Sequence, residues 1–261
     1  MTDRSPLPAP VVRAGTLCRR EVARFVTRPT TTVVPSLVTN GLFVTVFGVI
    51  LGSRIGEIGG FSYLLFVLPG LMLLGTTTNA VQNSGFSVFH GRWEGYVDAV
   101  TSSPMSPVEQ VAAYVVASAV RGCVVGIGIL LLGAAFAPVP LAHPLVLAGF
   151  LLTVSVLFGG IGMLIGLWAA DFDQLTLFNQ FLLRPLVFVG GVFYPASDLP
   201  PLLQPLTTAN PFWYMVNGYR YGMLGYAEVD PLGSFAVLLV TTVVVLAVAV
   251  SLVRVGYGLR T

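Results

Sequence analysis

Six long apolar stretches separated by short polar connections constrain this chain more than any other feature. They lie near residues 33–51, 63–78, 113–136, 145–170, 177–194 and 235–252, and each is close to the roughly 20 residues an α-helix needs to cross a bilayer. In hydrocarbon every backbone N–H and C=O must be satisfied internally, which leaves helices or closed barrels. The stretches are too long and too continuous for the alternating strands of about ten residues that a barrel uses. The chain has 261 residues, 55% of them hydrophobic and only 9% charged, and its mean hydropathy is +0.87. The expected fold class is therefore an all-α integral membrane protein with six transmembrane helices.

All thirteen cationic residues are arginine, and lysine is absent. A P-loop lysine is thereby excluded, and with it nucleotide hydrolysis through a Walker A motif in this chain. Arg4, Arg13, Arg19, Arg20, Arg24 and Arg28 precede the first stretch, Arg92 follows the second, and Arg254 and Arg260 follow the last. Arg54 and Arg220 fall on the other face, beside Glu57, Asp198, Glu228 and Asp230. Positive charge is retained on the cytoplasmic side, so both termini are expected there in a multi-pass plasma-membrane protein. A net charge of +2 gives no nucleic-acid face, because the arginines flank the spans.

Residues 1–28 read as a cytoplasmic segment with a basic amphipathic surface helix at 14–25, and residues 29–261 as the transmembrane domain. The opening is not expected to act as a signal peptide, since prolines and arginines interrupt it and no apolar h-region follows. Cys18 and Cys123 suggest neither a disulfide framework nor a metal site. His90 and His143 fall on opposite faces, so no metal site is expected from them either.

Two connections are long. In the cytoplasmic one, residues 79–108, Phe86, Phe89, Trp93, Tyr96, Val97 and Val100 recur at spacings of three and four, which predicts an amphipathic helix over 86–100. Glu94 and Asp98 form a like-charge i,i+4 pair, unfavourable by a few tenths of a kcal/mol (roughly 0.2–0.5) until a positive partner relieves it. Amphipathicity specifies an interface, headgroup or protein, without saying which. In the external connection, residues 195–233, Pro200, Pro201, Pro205 and Pro211 punctuate short apolar pieces rich in tyrosine and other aromatics. They predict two short helices dipping into the outer leaflet about a turn at 208–211, with Asn210 as cap. The same residues would equally make a passive aromatic cap.

Arg121 and Arg184 fall inside spans, where an arginine costs at least ~2.5 kcal/mol. Arg121 is expected to snorkel to the interface. Arg184, just before Pro185, has two readings: an ion pair with Asp171 or Asp173, or a place on a transport pathway. Asn40, Asn79, Gln82, Asn83, Asn179 and Gln180 suit interhelical hydrogen bonding as well as substrate contact. None of the six stretches contains Asp or Glu, which disfavours a proton-coupled carrier. A buried catalytic pair for a membrane enzyme is likewise missing from the sequence.

Residues 183–225 carry an ordered set of features: Pro185 in the fifth span, the Gly190–Gly191 pair, the step from Phe193 to Pro195, Leu199–Pro200, Asn210–Pro211, and Arg220 in an aromatic helix. With Ser103, Pro104, Met105 and Ser106 after the cytoplasmic helix, this pattern resembles the ABC-2 type exporter permeases. The likeness is nearest to the daunorubicin-resistance group, related to nodulation and polysaccharide exporters, and runs from about Arg24 to the end of the chain. It implies a type V permease fold with a connecting helix at 14–25 and re-entrant external helices.

It also implies a non-enzymatic subunit of an ATP-driven exporter. ATP and Mg would sit on a separate ABC ATP-binding subunit, and this chain would bind no cofactor. A second permease copy or paralogue would complete the pair in the inner membrane. The cargo would be a hydrophobic or amphiphilic drug, antibiotic or lipid, with efflux and antibiotic resistance as the associated roles. The 86–100 segment would be the coupling helix, with Phe89, Gly91, Arg92, Trp93, Glu94, Gly95 and Asp98 facing the ATPase. Where the family often has an Arg/Lys-Glu-Arg-Gly-Thr run, this chain has HGRWEGYVDAV, matching at Gly91, Arg92, Glu94 and Gly95. Asn179, Arg184, Pro185, Gly190, Gly191, Phe193, Asn210 and Arg220 become pathway or gating candidates. Export of a lipid-linked glycan and a membrane accessory role without transport are the alternatives.

Overall fold

The computed structural model describes residues 9–95 and 104–258. Arg4, Tyr96, Val97, Asp98, Val100, Ser103 and Arg260 lie outside the described residues. The first element, α1 (Ala9–Val26), is longer than the helix expected at 14–25. Leu17, Glu21 and Phe25, four residues apart, are buried on one face, while Arg19, Arg20 and Arg24 are exposed on the other.

The first apolar stretch forms a broken helical run: α2 (Pro29–Thr32), α3 (Val34–Phe43), a π-helical segment (Val44–Leu51) and α4 (Gly52–Ile55). A small hairpin follows, β1 (Glu57–Ile58) with β2 (Phe61–Ser62), antiparallel with Glu57 opposite Ser62. Its turn residues Gly59 and Gly60 have φ of +60° and +81°, a region glycine enters without steric cost.

Next come α5 (Tyr63–Trp93), α6 (Pro107–Ala134) and α7 (Pro144–Trp168). The fifth apolar stretch is again a broken run, α8 (Phe172–Leu177), a π-helical segment (Phe178–Leu183) and α9 (Arg184–Val189). After a 3₁₀ turn at Ala196–Asp198 the chain forms α10 (Gln204–Thr208), α11 (Pro211–Leu224) and α12 (Pro231–Val255). Among these, α5, α6, α7 and α12 are long and apolar enough to cross a membrane. The fold is thus the mostly helical membrane type expected, with one small hairpin added.

The largest departure concerns α5. The expected second span ends at residue 78, and the expected amphipathic helix starts at 86. Instead one helix of 31 residues runs through the second span and on into the first part of the expected amphipathic helix, ending at Trp93; it is about 46 Å long at 1.5 Å per residue. Asn79, Gln82, Asn83, Ser84 and Ser87, whose polarity reads as a loop in the sequence, are helix-interior positions that hydrogen-bond or face neighbouring elements. Asn79 Nδ2 donates to Ser36 Oγ (2.7 Å), Asn83 Nδ2 to Ser118 Oγ (3.2 Å), and Ser84 Oγ to the Gly159 carbonyl (2.6 Å). Ser87 bonds to the buried Glu21 of α1. With most of its polar groups partnered this way, α5 is buried on nearly every side.

The contact of α5 with α7 depends on missing side chains. Gly85 of α5 opposes Gly162 and Gly166 of α7, and a Cβ on Gly166 would stand 2.6 Å from the Gly85 carbonyl oxygen. A Cβ on Gly162 would collide with the Val81 carbonyl and Ser84 Oγ. Small residues at such crossings let helix backbones approach closely in lipid. By contrast, α12 exposes Leu239, Val240, Val243 and Val244.

Gly162→Leu is expected to destabilise the chain by about 1–3 kcal/mol or more through overpacking. Gly15→Ala in α1, where a Cβ meets nothing within 4 Å, should be neutral or stabilising. Loss of the monodisperse size-exclusion peak on heating in detergent, compared between the two variants, checks this.

Candidate functional site

At the α1 end of the bundle, α5 finishes in a motif of sharply divided exposure. Phe89 and Gly91 are buried, whereas Trp93 is 77% exposed and Glu94 and Gly95 are exposed beside it. Gly95 has φ +69°, which suits a helix-terminating glycine. Arg92 turns inward. Its Nη1 donates to the carbonyls of Gly166 (2.9 Å), Leu167 (3.0 Å) and Ala169 (2.9 Å), capping the C-terminal end of α7. Of the expected docking residues, then, Trp93, Glu94 and Gly95 present an outer surface, and Arg92 braces that surface from behind.

Helix α1 ties down the same end. Arg13 pairs with Glu109 of α6 at 3.2 Å, and Arg24 Nη2 donates to the Asn83 carbonyl at 2.9 Å. Glu109 also completes a capping box with Ser106: Ser106 N–H donates to Glu109 Oε2 (2.6 Å) and Glu109 N–H to Ser106 Oγ (3.3 Å). Ser106 followed three residues later by Glu109 is the usual sequence signature of this device.

At the opposite end, Arg220 of α11 is 1% exposed and bound through both of its Nη atoms. Its Nη1 meets Glu228 Oε1 at 2.8 Å, its Nη2 donates to the Gly191 carbonyl at 2.8 Å, and its guanidinium lies 3.9 Å from the centroid of the Phe66 ring of α5. Glu228 Oε2 accepts the Ala196 N–H (2.8 Å), and Asn217 Oδ1 accepts the Glu228 N–H (2.7 Å). Burial, and after it the Glu228 carboxylate, hold the Tyr226 phenol above its ordinary pKa, so it stays neutral.

Asn210 caps α11 by accepting from Phe212 N–H (3.0 Å), and its Nδ2 donates to the Leu186 carbonyl (2.6 Å). Phe193 packs between Phe47 (4.6 Å) and Phe188 (5.3 Å). The two short helices and the turn expected around 208–211 are present as α10 and α11. Gly190, Gly191, Phe193, Asn210 and Arg220 are thus gathered at this end, whereas Asn179, Arg184 and Pro185 lie further down the fifth run.

Between the ends, a polar cavity of about 310 Å³ separates the first and fifth runs. Its floor includes Asn40, Asn79 and Arg121, and its rim includes Pro35, Thr39 and Arg184. One expectation fails here, and one of two open readings is not met. Arg121 does not snorkel to an aqueous edge: it is 8% exposed, and its Nη2 donates to the Thr32 carbonyl at 2.7 Å. Arg184 makes no ion pair with Asp171 or Asp173 among the described residues. Asp171 is committed to capping α8 through Gln174 N–H (2.7 Å), and both acids are exposed in that turn. No group of three His, Cys, Asp or Glu side chains able to hold a metal occurs among the described residues.

Removing one partner of a buried ion pair leaves the other charge uncompensated, at about 3–5 kcal/mol. Glu228→Ala is therefore expected to destabilise the chain by about that amount, and the double variant Arg220→Leu with Glu228→Leu to be less damaging. Thermal stability of the purified variants in one detergent checks the comparison.

Comparison with known proteins agrees with this architecture. Residues 13–224 match the ABC-2 type transporter family. The inner membrane transport permease YadH of Escherichia coli (strain K12) is 36% identical over 241 residues, covering 92% of this chain and 94% of that protein. Nodulation protein J of Rhizobium leguminosarum bv. trifolii is 23% identical over 206 residues, 78% of each chain. The extent of these matches, over the same helices that build both ends and the groove, makes the chain a member of the ABC-2 type transporter family.

Proposed function

We propose that this chain is the transmembrane permease subunit of an ATP-driven exporter of hydrophobic or amphiphilic compounds. The observation that carries the reading is the exposed Trp93–Glu94–Gly95 tip of α5, an aromatic and acidic surface standing on a helix that is mostly buried. Tryptophan is enriched among the residues that dominate protein interfaces, and a chain without a P-loop lysine must draw on a partner for nucleotide hydrolysis. That partner is an ABC ATP-binding subunit carrying ATP and Mg, and two permease chains assemble with it. The broken runs 29–55 and 172–189 count as the first and fifth of six spans, with both termini cytoplasmic by the arginine bias.

In this reading, closure of the ATP-binding dimer pushes on the tips of two α5 helices. Because Arg92 fixes that tip to the end of α7 and Phe66 of the same helix lies under Arg220, the load reaches the opposite end along one rod. The push biases the permease pair between two global states.

Trp93→Ala is expected to weaken capture of the ATP-binding partner by about tenfold or more, and Glu94→Arg to lower the ATPase rate of the assembled complex. Co-purification followed by ATPase assay measures both. If neither variant changes recruitment or rate, the coupling surface lies elsewhere and the reading fails.

A further inference from the structure

The groove between the first and fifth runs holds more charge and amide than helix packing requires. Arg121 is 8% exposed, yet its Nε has no partner within the described chain. Across the opening, Arg184 is exposed and makes no hydrogen bond or ion pair with the described residues. The carbonyl oxygens of Asn40 and Asn79 are buried and also without partners. Their amide nitrogens are spent elsewhere, Asn40 Nδ2 on the Ser36 carbonyl (2.8 Å) and Asn79 Nδ2 on Ser36 Oγ (2.7 Å) and the Gly75 carbonyl (2.9 Å). The cavity therefore carries positive charge at its floor and at its rim, with two unpartnered amide oxygens buried beneath the floor. An intramembrane arginine is costly and is kept where it meets a partner or a pathway.

We propose that this groove binds the headgroup of an anionic amphiphile. Its oxyanion, phosphate or carboxylate, meets Arg121 at the floor and Arg184 at the rim. A volume of about 310 Å³ suits a headgroup and leaves an acyl or other apolar tail outside. The rim at Pro35, Thr39 and Arg184 is exposed, so the tail leaves between the two runs. Arginine is favoured for such groups because its planar fork donates two parallel bonds to an oxyanion. That the bound molecule is cargo rests on the permease reading above; the binding does not.

The test uses the full chain purified in mild detergent and offered equal amounts of dioleoyl phosphatidylglycerol and dioleoyl phosphatidylcholine, with retained lipid read by native mass spectrometry. Phosphatidylglycerol supplies a phosphate beside glycerol hydroxyls; phosphatidylcholine supplies neither net charge nor donors. The wild-type chain should retain phosphatidylglycerol preferentially, and Arg184→Gln should cut that preference about tenfold, the loss of one charge-assisted contact. Arg184→Gln is informative because the side chain supports no contact within the described fold. Arg28→Gln, next to the exposed arginines of α1, should leave the preference unchanged.

Added oleate or inorganic phosphate separates the sources of the oxyanion. Displacement of the lipid by oleate but not by phosphate supports an amphiphile, and displacement by phosphate alone overturns it in favour of a free-anion site. A preference that survives Arg184→Gln, or that disappears in Arg28→Gln instead, also overturns the proposal. Loss of preference in Arg184→Gln without any recruitment of an ATP-binding partner would leave the groove assignment standing and sink the exporter reading. A chain that recruits the partner but shows no headgroup preference does the reverse.

Discussion

Close backbone approach between α5 and α7 is the constraint from which the rest of the architecture follows. Lipid tails are as apolar as leucine, so no hydrophobic force draws helices together inside a bilayer. Attraction must come from dense contact and from hydrogen bonds between helices. Gly85, Gly162 and Gly166 remove the side chains that would hold the two backbones apart, and Ser84 then reaches the Gly159 carbonyl at 2.6 Å. Once that crossing is made, α5 is enclosed, and α6, α11 and the first run arrange themselves around it.

The two ends of the bundle answer to the same rod by different chemistry. At the α1 end the ties are partly solvated, with Arg13 and Arg24 reaching across from a surface helix, and such pairs are individually weak. At the opposite end the Arg220–Glu228 pair is desolvated and sealed by the Gly191 carbonyl and the Phe66 ring. A dry, closely held charge pair fixes geometry more firmly than a wet one. The α1 end is consequently the easier one to rearrange, and it is also where Trp93 stands exposed.

Much of this was legible in the sequence, for reasons that can be given residue by residue. Asn210 before Pro211 announces the start of α11 because an Asn cap and a proline in the first turn each favour a helix N-terminus. Uninterrupted apolar runs announce α6, α7 and α12 by length alone. The failures share one cause. Asn79 and Asn83 make the interhelical bonds their amides suit, to Ser36 and Ser118, but together with Ser84 and Ser87 they make this stretch look like a loop because polarity is a proxy for water, and in this bundle the serines' partners are the Gly159 carbonyl and Glu21. Arg121 falls under the same cause: a long cationic side chain says that it needs oxygens, not whether they belong to water, a headgroup or a carbonyl on another helix. The α7 end that Arg92 caps is more than seventy positions away in the chain, beyond any local pattern.

The π-helical segments give the groove a further property. A π-turn holds more residues than an α-turn, so each such segment stores an extra residue within its run. Val44–Leu51 directly follows the half-helix that carries Thr39 and Asn40, and Phe178–Leu183 directly precedes the one that carries Arg184. Releasing a single residue from either segment would turn the adjoining half-helix by about 100° about its own axis. Each wall of the cavity is therefore joined end to end with a π-helical segment, and a turn of either one would have to exchange its ties to the core, Ser36 to Asn79 on the first run and the Leu186 carbonyl to Asn210 on the fifth.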